Sequence, residues 1–149
     1  MNCQEFLQKI LKNTETRMAK YEKRHQENAE RLKSKLEYCL KHNMKASEVS
    51  RAEACRLDYS SGKAEFFREF SLVIKNRLEF IEPLSYIEKN ELGLFERVNL
   101  SLTRSLLQLA TKPWRMTENE REGWTAGLEE SSDMLEKEYE KAISRAPCK

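Results

Sequence analysis

The sequence predicts an all-α protein: an elongated bundle of about four long helices with coiled-coil-like packing. Three observations carry this. Apolar residues recur at spacings of three and four almost from end to end. No stretch alternates apolar and polar residues between turn signals, as a half-buried strand would. Only four glycines and three prolines occur in 149 residues, and 35% of the residues are charged. That composition suits helices, and the length suits one core, so residues 1–149 are expected to form a single helical domain.

The first helix is expected over residues 3 to 44. Leu7, Leu11, Met18, Tyr21, Leu32, Leu36 and Cys39 or Leu40 form one stripe, with Thr14 and His25 at its polar steps. At 1.5 Å per residue it would span about 60 Å. A compact domain of this size measures about 35–40 Å across. The helix must therefore kink, extend beyond a compact body, or be covered by a second chain.

A second helix is expected from Ser47 or Ser50, either of which could cap it, to Glu82 before Pro83. Its seam runs through Ala52, Cys55, Tyr59, Phe66, Phe70, Val73 or Ile74, Arg77 or Leu78, and Ile81. The weak helix formers of Asp58-Tyr59-Ser60-Ser61-Gly62 are a candidate interruption. Ser85…Glu88 and Thr117…Glu120 both match the capping box, which predicts helix starts there. The third helix, 86 to 111, is apolar over so wide an arc that it is expected to be the most buried. The fourth, 118 to 145, ends before Pro147 and carries Gly123 and Gly127 one turn apart, where another helix could approach closely.

Several chemistries are argued against. Only two histidines occur, so a di-iron bundle has one Glu-x-x-His pair, Glu22 with His25, and lacks the second. Cys39 and His42 with a distant Cys55 give one ligand pair where structural zinc usually has two. Gly62, Gly93, Gly123 and Gly127 form no phosphate loop, and no Ser or Cys sits in a nucleophile motif. No enzymatic activity, cofactor, metal or small-molecule substrate is expected. With no apolar run of about 20 residues and no export signal, the chain is expected to be soluble and cytoplasmic, with Cys3, Cys39, Cys55 and Cys148 as reduced thiols.

Charge is unevenly placed. Residues 1–45 hold eleven Lys and Arg against six Glu, whereas the rest of the chain is slightly acidic. At 100° per residue, Lys9, Lys20, Arg24, Arg31, Lys35 and Lys45 fall on one side of the first helix, nearly opposite its apolar stripe. Such a ridge reads first as a solvated face, and as an alternative it could follow a nucleic-acid backbone or lie on an anionic membrane. The apolar stripe is thin around Tyr21, His25, Ala29 and Leu32, which suits pairing with another helix. The leading expectation is a non-enzymatic interaction module, an adaptor, regulator or inhibitor, that binds another protein and forms a homo-oligomer. Tyr21, Phe67, Trp114 and Trp124 are its candidate apolar contacts, with Phe67 lying off the main seam; closing the end of the bundle is the more ordinary role for the two tryptophans.

Overall fold

A computed structural model describes residues 2–145, and of 46–50 the backbone alone. Four helices make up almost all of it: α1 (Cys3–Lys41), α2 (Ala46–Ile87), α3 (Glu91–Ala110) and α4 (Glu118–Arg145), with a 3-10 turn at Pro113–Arg115. The all-α bundle expected from the apolar spacing is what the chain adopts.

Contacts fix the directions. Met18 meets Ser71 and Lys35 meets Glu53, so α1 and α2 are antiparallel. Gly62 faces Glu120 and Gly127 faces Phe66, so α4 runs parallel to α2. Arg77 binds Ser101 and Ser105, and Lys112 reaches Glu69, which sets α3 antiparallel to α2. The topology is up-down-up-down, joined by short connections.

The helices differ in length, and this shapes the molecule. At 1.5 Å per residue, the 39 residues of α1 and 42 of α2 span about 60 Å, against about 30 Å for the 20 of α3. Thr117, at the start of α4, bonds Asp58. The stretch of α2 before Asp58 and the matching end of α1 therefore stand beyond the four-helix body as a two-helix arm. Of the three ways to accommodate a long first helix, the chain takes the extended one.

Aromatic rings fill the four-helix body. Phe66 contacts Phe67, Phe70 and Trp124 with centroid distances of 5.3–5.9 Å, and Phe6 meets Phe95 at 5.6 Å. Trp124 is buried and its indole N–H donates to the Leu109 carbonyl at 2.8 Å, tying α4 to the end of α3. Buried Thr14 is satisfied locally by donating to the Ile10 carbonyl.

Glycine governs the α2/α4 contact. A Cβ on Gly123 would lie 1.9 Å from the Tyr59 carbonyl oxygen, and one on Gly62 would lie 2.0 Å from that of Glu120. The helix that approaches Gly123 is α2 itself. Gly62 is therefore a packing position within a continuous helix, and residues 58–62 do not interrupt it. Ser60 stays helical by donating to the Leu57 carbonyl.

Other boundaries shift from expectation. α1 ends at Lys41, not at 44, and Asn43 adopts a left-handed φ of 52° in the turn. α2 begins at Ala46 with Lys45 as its N-cap, so neither Ser47 nor Ser50 stands at the cap. It also runs past Pro83 to Ile87. Pro83 is exposed in the closing turn, where the carbonyl it leaves unpaired can be solvated. Ser85 consequently lies inside α2, donating to Glu82, and the start of α3 is capped by Asn90, whose side chain accepts from the Leu92 amide at 3.0 Å. Thr117 caps α4 as its motif predicts, accepting from the Glu120 amide. At the other end, Asn2 and Glu5 close a capping box on α1. Pro147 and Cys148 fall outside the described residues.

Among residues whose side chains are described, α3 has the largest buried share of the four helices, as expected, but its apolar arc is not wholly covered. Leu92, Leu100 and Leu107 are exposed, while Leu94, Phe95, Val98, Leu102, Leu106 and Leu109 face the core. Its wide apolar arc reaches solvent.

Candidate functional site

Sequence reasoning singled out two sets of residues, the basic ridge and the aromatic contacts, and the structure adds a third surface on α3. On α1, the six cations of the ridge separate into different environments. Lys9 Nζ lies 2.8 Å from Glu138 Oε2, and Lys35 Nζ lies 2.6 Å from Glu53 Oε1. These two charges are engaged within the fold. Lys45 belongs to the turn, because α1 has already ended. Lys20, Arg24 and Arg31 remain as exposed cations on the helix, with no ion pair among the described residues. The ridge that helical spacing predicts is therefore reduced to its central part.

Glu53 is the carboxylate that organises the arm. It is buried, and Lys35 together with Arg56 shares its Oε1 atom. The hydrogen bond from Lys35, opposed by burial and reinforced by the positive charge around it, holds this carboxyl below its ordinary range. Glu138 behaves alike: burial would raise it, but Lys9 and Lys141 outweigh burial and lower it.

Tyr21, expected as a binding residue, is buried where α1, α2 and α4 meet. Phe67 stacks on its ring at 5.3 Å, and Lys63 Nζ lies 4.1 Å from the ring centroid. Lys20 and Arg24 stand 5.5 and 5.9 Å away. Its hydroxyl donates to Glu130, whose carboxylate also takes Arg17 at 2.6 Å and Lys63 at 3.3 Å. Burial would lower the Lys63 pKa, yet the Tyr21 hydroxyl and Glu130 prevail and raise it. Four cations thus surround one aromatic ring and one carboxylate.

Phe67 is 0% exposed and Trp124 only 2%, so both are core residues and not surface contacts. The off-seam position of Phe67 on α2 faces α1, which a single-seam reading of the helix missed. Trp114 differs: it is 71% exposed on the 3-10 turn, with Arg115 stacked on its ring at 4.3 Å. The tryptophans do not act as a pair. Trp124 fills the core and Trp114 projects.

Helical spacing passed over the third surface, because it read α3 as buried. Leu100 and Leu107 are 50% and 65% exposed, and with Leu92 they fall within about 80° on α3 at 100° per residue. Leu107 lines a groove of about 300 Å³ between α3 and α4, walled also by Leu106, Leu128, Leu135 and Tyr139, while Leu100 lies toward the α2 side of α3. The buried Oδ1 of Asn99, also on this groove, has no hydrogen-bond partner among the described residues. The breadth of the apolar arc on α3 was the legible signal.

His25 takes a structural place in the α1/α2 seam, with Nδ1 3.2 Å from Ser60 Oγ. Cys39 is buried while His42 packs against Tyr38 at 4.2 Å. Among the described residues no group of three His, Cys, Asp or Glu is placed to hold a metal, and no helix is long and apolar enough to cross a membrane. Searches for similar proteins found that no family model, no curated protein and no solved structure matches the chain.

Proposed function

We propose that this protein is a non-enzymatic helical interaction module, an adaptor, regulator or inhibitor, that binds a helix of another protein in the α3/α4 groove. A second copy of the chain is the partner that this surface itself can furnish. The α3 ridge of Leu100 and Leu107 is the complement that such a groove takes, and an exchange of the same patch closes a two-fold dimer. A cytoplasmic setting goes with this reading, with Cys3, Cys39 and Cys55 as free thiols.

The observation that carries it is the exposure of Leu107 on the lining of an apolar groove, with exposed Leu100 two turns away on the same helix. Fully burying one such leucine is worth about 1.5–3 kcal/mol. Light scattering coupled to size exclusion, on wild type and on Leu100→Ser/Leu107→Ser, tests it. The wild type should exceed the monomer mass and the variant should not.

A second reading rests on Lys20, Arg24 and Arg31, the exposed remainder of the basic ridge, as a contact for nucleic acid or an anionic membrane. Retention on heparin that disappears when the three become Glu supports it. Absence of retention at low salt removes it.

A further inference from the structure

At the base of the arm, where α4 begins against the α1/α2 hairpin, lies an open cleft of about 350 Å³. Tyr21 and Tyr59 give it aromatic walls, and Cys55 contributes a half-buried thiol. Arg24, Arg56 and Lys63 line it as well, and among the described residues no carboxylate does. The geometry points to a binding site for a small organic oxyanion, a carboxylate or phosphate borne on an aromatic or apolar body.

The charges explain the choice. Lys63 is committed, its ammonium fixed between Glu130 at 3.3 Å and the Tyr21 ring, with a side chain only 15% exposed. Glu130 is in turn shared with Arg17 and the Tyr21 hydroxyl, so one carboxylate answers two cations. Arg56 lies 3.2 Å from Glu53, whose Oε1 already holds Lys35 at 2.6 Å. Its side chain is 59% exposed and can turn toward an anion in the cleft without leaving Glu53 unpaired. Arg24 is exposed and has no ion pair among the described residues.

A site so lined holds excess positive charge over an apolar floor. A cation would be repelled, and a neutral aromatic would fill the walls while leaving Arg24 without an anion. Planar guanidinium matches carboxylate and phosphate oxygens with paired donors. The volume lies at the lower end of the range for small-molecule sites, which suits one ring with one anionic group. This site is separate from the α3/α4 groove and does not depend on the reading given to that groove.

The test is isothermal titration with phenyl phosphate and with benzoate at low ionic strength, using benzyl alcohol as the neutral comparison. Saturable binding of either anion is expected, the stronger of the two identifying the preferred group, with benzyl alcohol at least about tenfold weaker. Arg24→Gln/Arg56→Gln should weaken it by about tenfold per arginine, as loss of a charge-assisted hydrogen bond implies. Should the double variant lose helicity by circular dichroism, Arg24→Gln alone, at an exposed position, gives the same reading. Location is read independently: phenyl phosphate should slow alkylation of Cys55 by iodoacetamide, followed by mass spectrometry of that peptide. No saturable binding of either anion, equal affinity in the arginine variants, equal binding of benzyl alcohol, or an unchanged Cys55 rate at saturation overturns the assignment.

Discussion

Gly123→Ala is the substitution that most sharply separates helix propensity from helix packing. In an isolated helix the added methyl would stabilise by about 1 kcal/mol. Here the new Cβ would stand 1.9 Å from the Tyr59 carbonyl oxygen and 3.0 Å from the Lys63 amide nitrogen. Both are backbone atoms of α2, so no side-chain rotation relieves the overlap and the two helices must part. Overpacking costs about 1–3 kcal/mol, sometimes more, and with no rotamer to yield the upper end applies. The net expected loss is about 2 kcal/mol, or a fall in melting temperature of about 4–8 °C for a protein this large. Gly93→Ala supplies the control. Its Cβ would meet only the carboxyl end of the Glu88 side chain, at 2.7 Å, which can swing aside; that variant should hold or gain stability. Urea unfolding followed by circular dichroism measures both. Gly123→Ala at or above wild-type stability would refute close backbone contact between α2 and α4.

Other expectations follow from particular contacts. Asn90→Ala, which removes the cap on α3, should cost about 1 kcal/mol, whereas Ser85→Ala, inside α2, should change stability by less than about 0.5 kcal/mol; urea midpoints at constant slope compare them. Trp124→Phe removes the donor to the Leu109 carbonyl and some core volume, an expected loss of about 2 kcal/mol in the same assay. Glu53, held below its ordinary pKa of 4.5 chiefly by Lys35, contributes stability that is present above that value and lost as pH falls through its lower folded value. Glu53→Gln should accordingly be less stable than wild type at neutral pH, with the gap narrowing in acid, as melting curves across pH would show. Burial, with help from Glu91, pushes the Cys3 thiol up to about 12; iodoacetamide should therefore modify half-buried Cys55 well before Cys3.

Much of the architecture was legible because helical spacing is a local property. The apolar rhythm revealed four helices, and Thr117 with Glu120 marked the start of α4. Local signals misled where tertiary contacts supplied the compensation. Residues 58–62 carry poor helix formers, yet Gly62 is required by the approach of α4 and Ser60 satisfies itself on Leu57. Pro83 resembled a stop but falls on the exposed closing turn of α2. The capping-box match at Ser85 falls inside α2, and the cap that α3 uses, Asn90 five residues on, was not singled out by the sequence.

The candidate surfaces were less legible, because they depend on which helix lies against which. Phe67 was set off one seam although α2 is packed by α1 and α4 on different sides, so a single stripe understates its buried arc. Lys9 and Lys35 shared a helical face with the free cations, and only the placement of Glu138 and Glu53 shows them engaged. Trp114 and Trp124 were equivalent as letters, but one is fixed by a hydrogen bond to Leu109 and the other projects from a turn. The exposed leucines of α3 were counted toward the core for the same reason: apolar content indicates what prefers to be covered, not what covers it.

The role assigned to the α3/α4 groove is tested most directly by the molar mass of the chain in solution across a concentration series. The mass should rise toward twice that of one chain in the wild type and stay at one chain in Leu100→Ser/Leu107→Ser. A wild type that remains a single chain at every concentration, or a double variant that associates as strongly as the wild type, would contradict pairing through that groove.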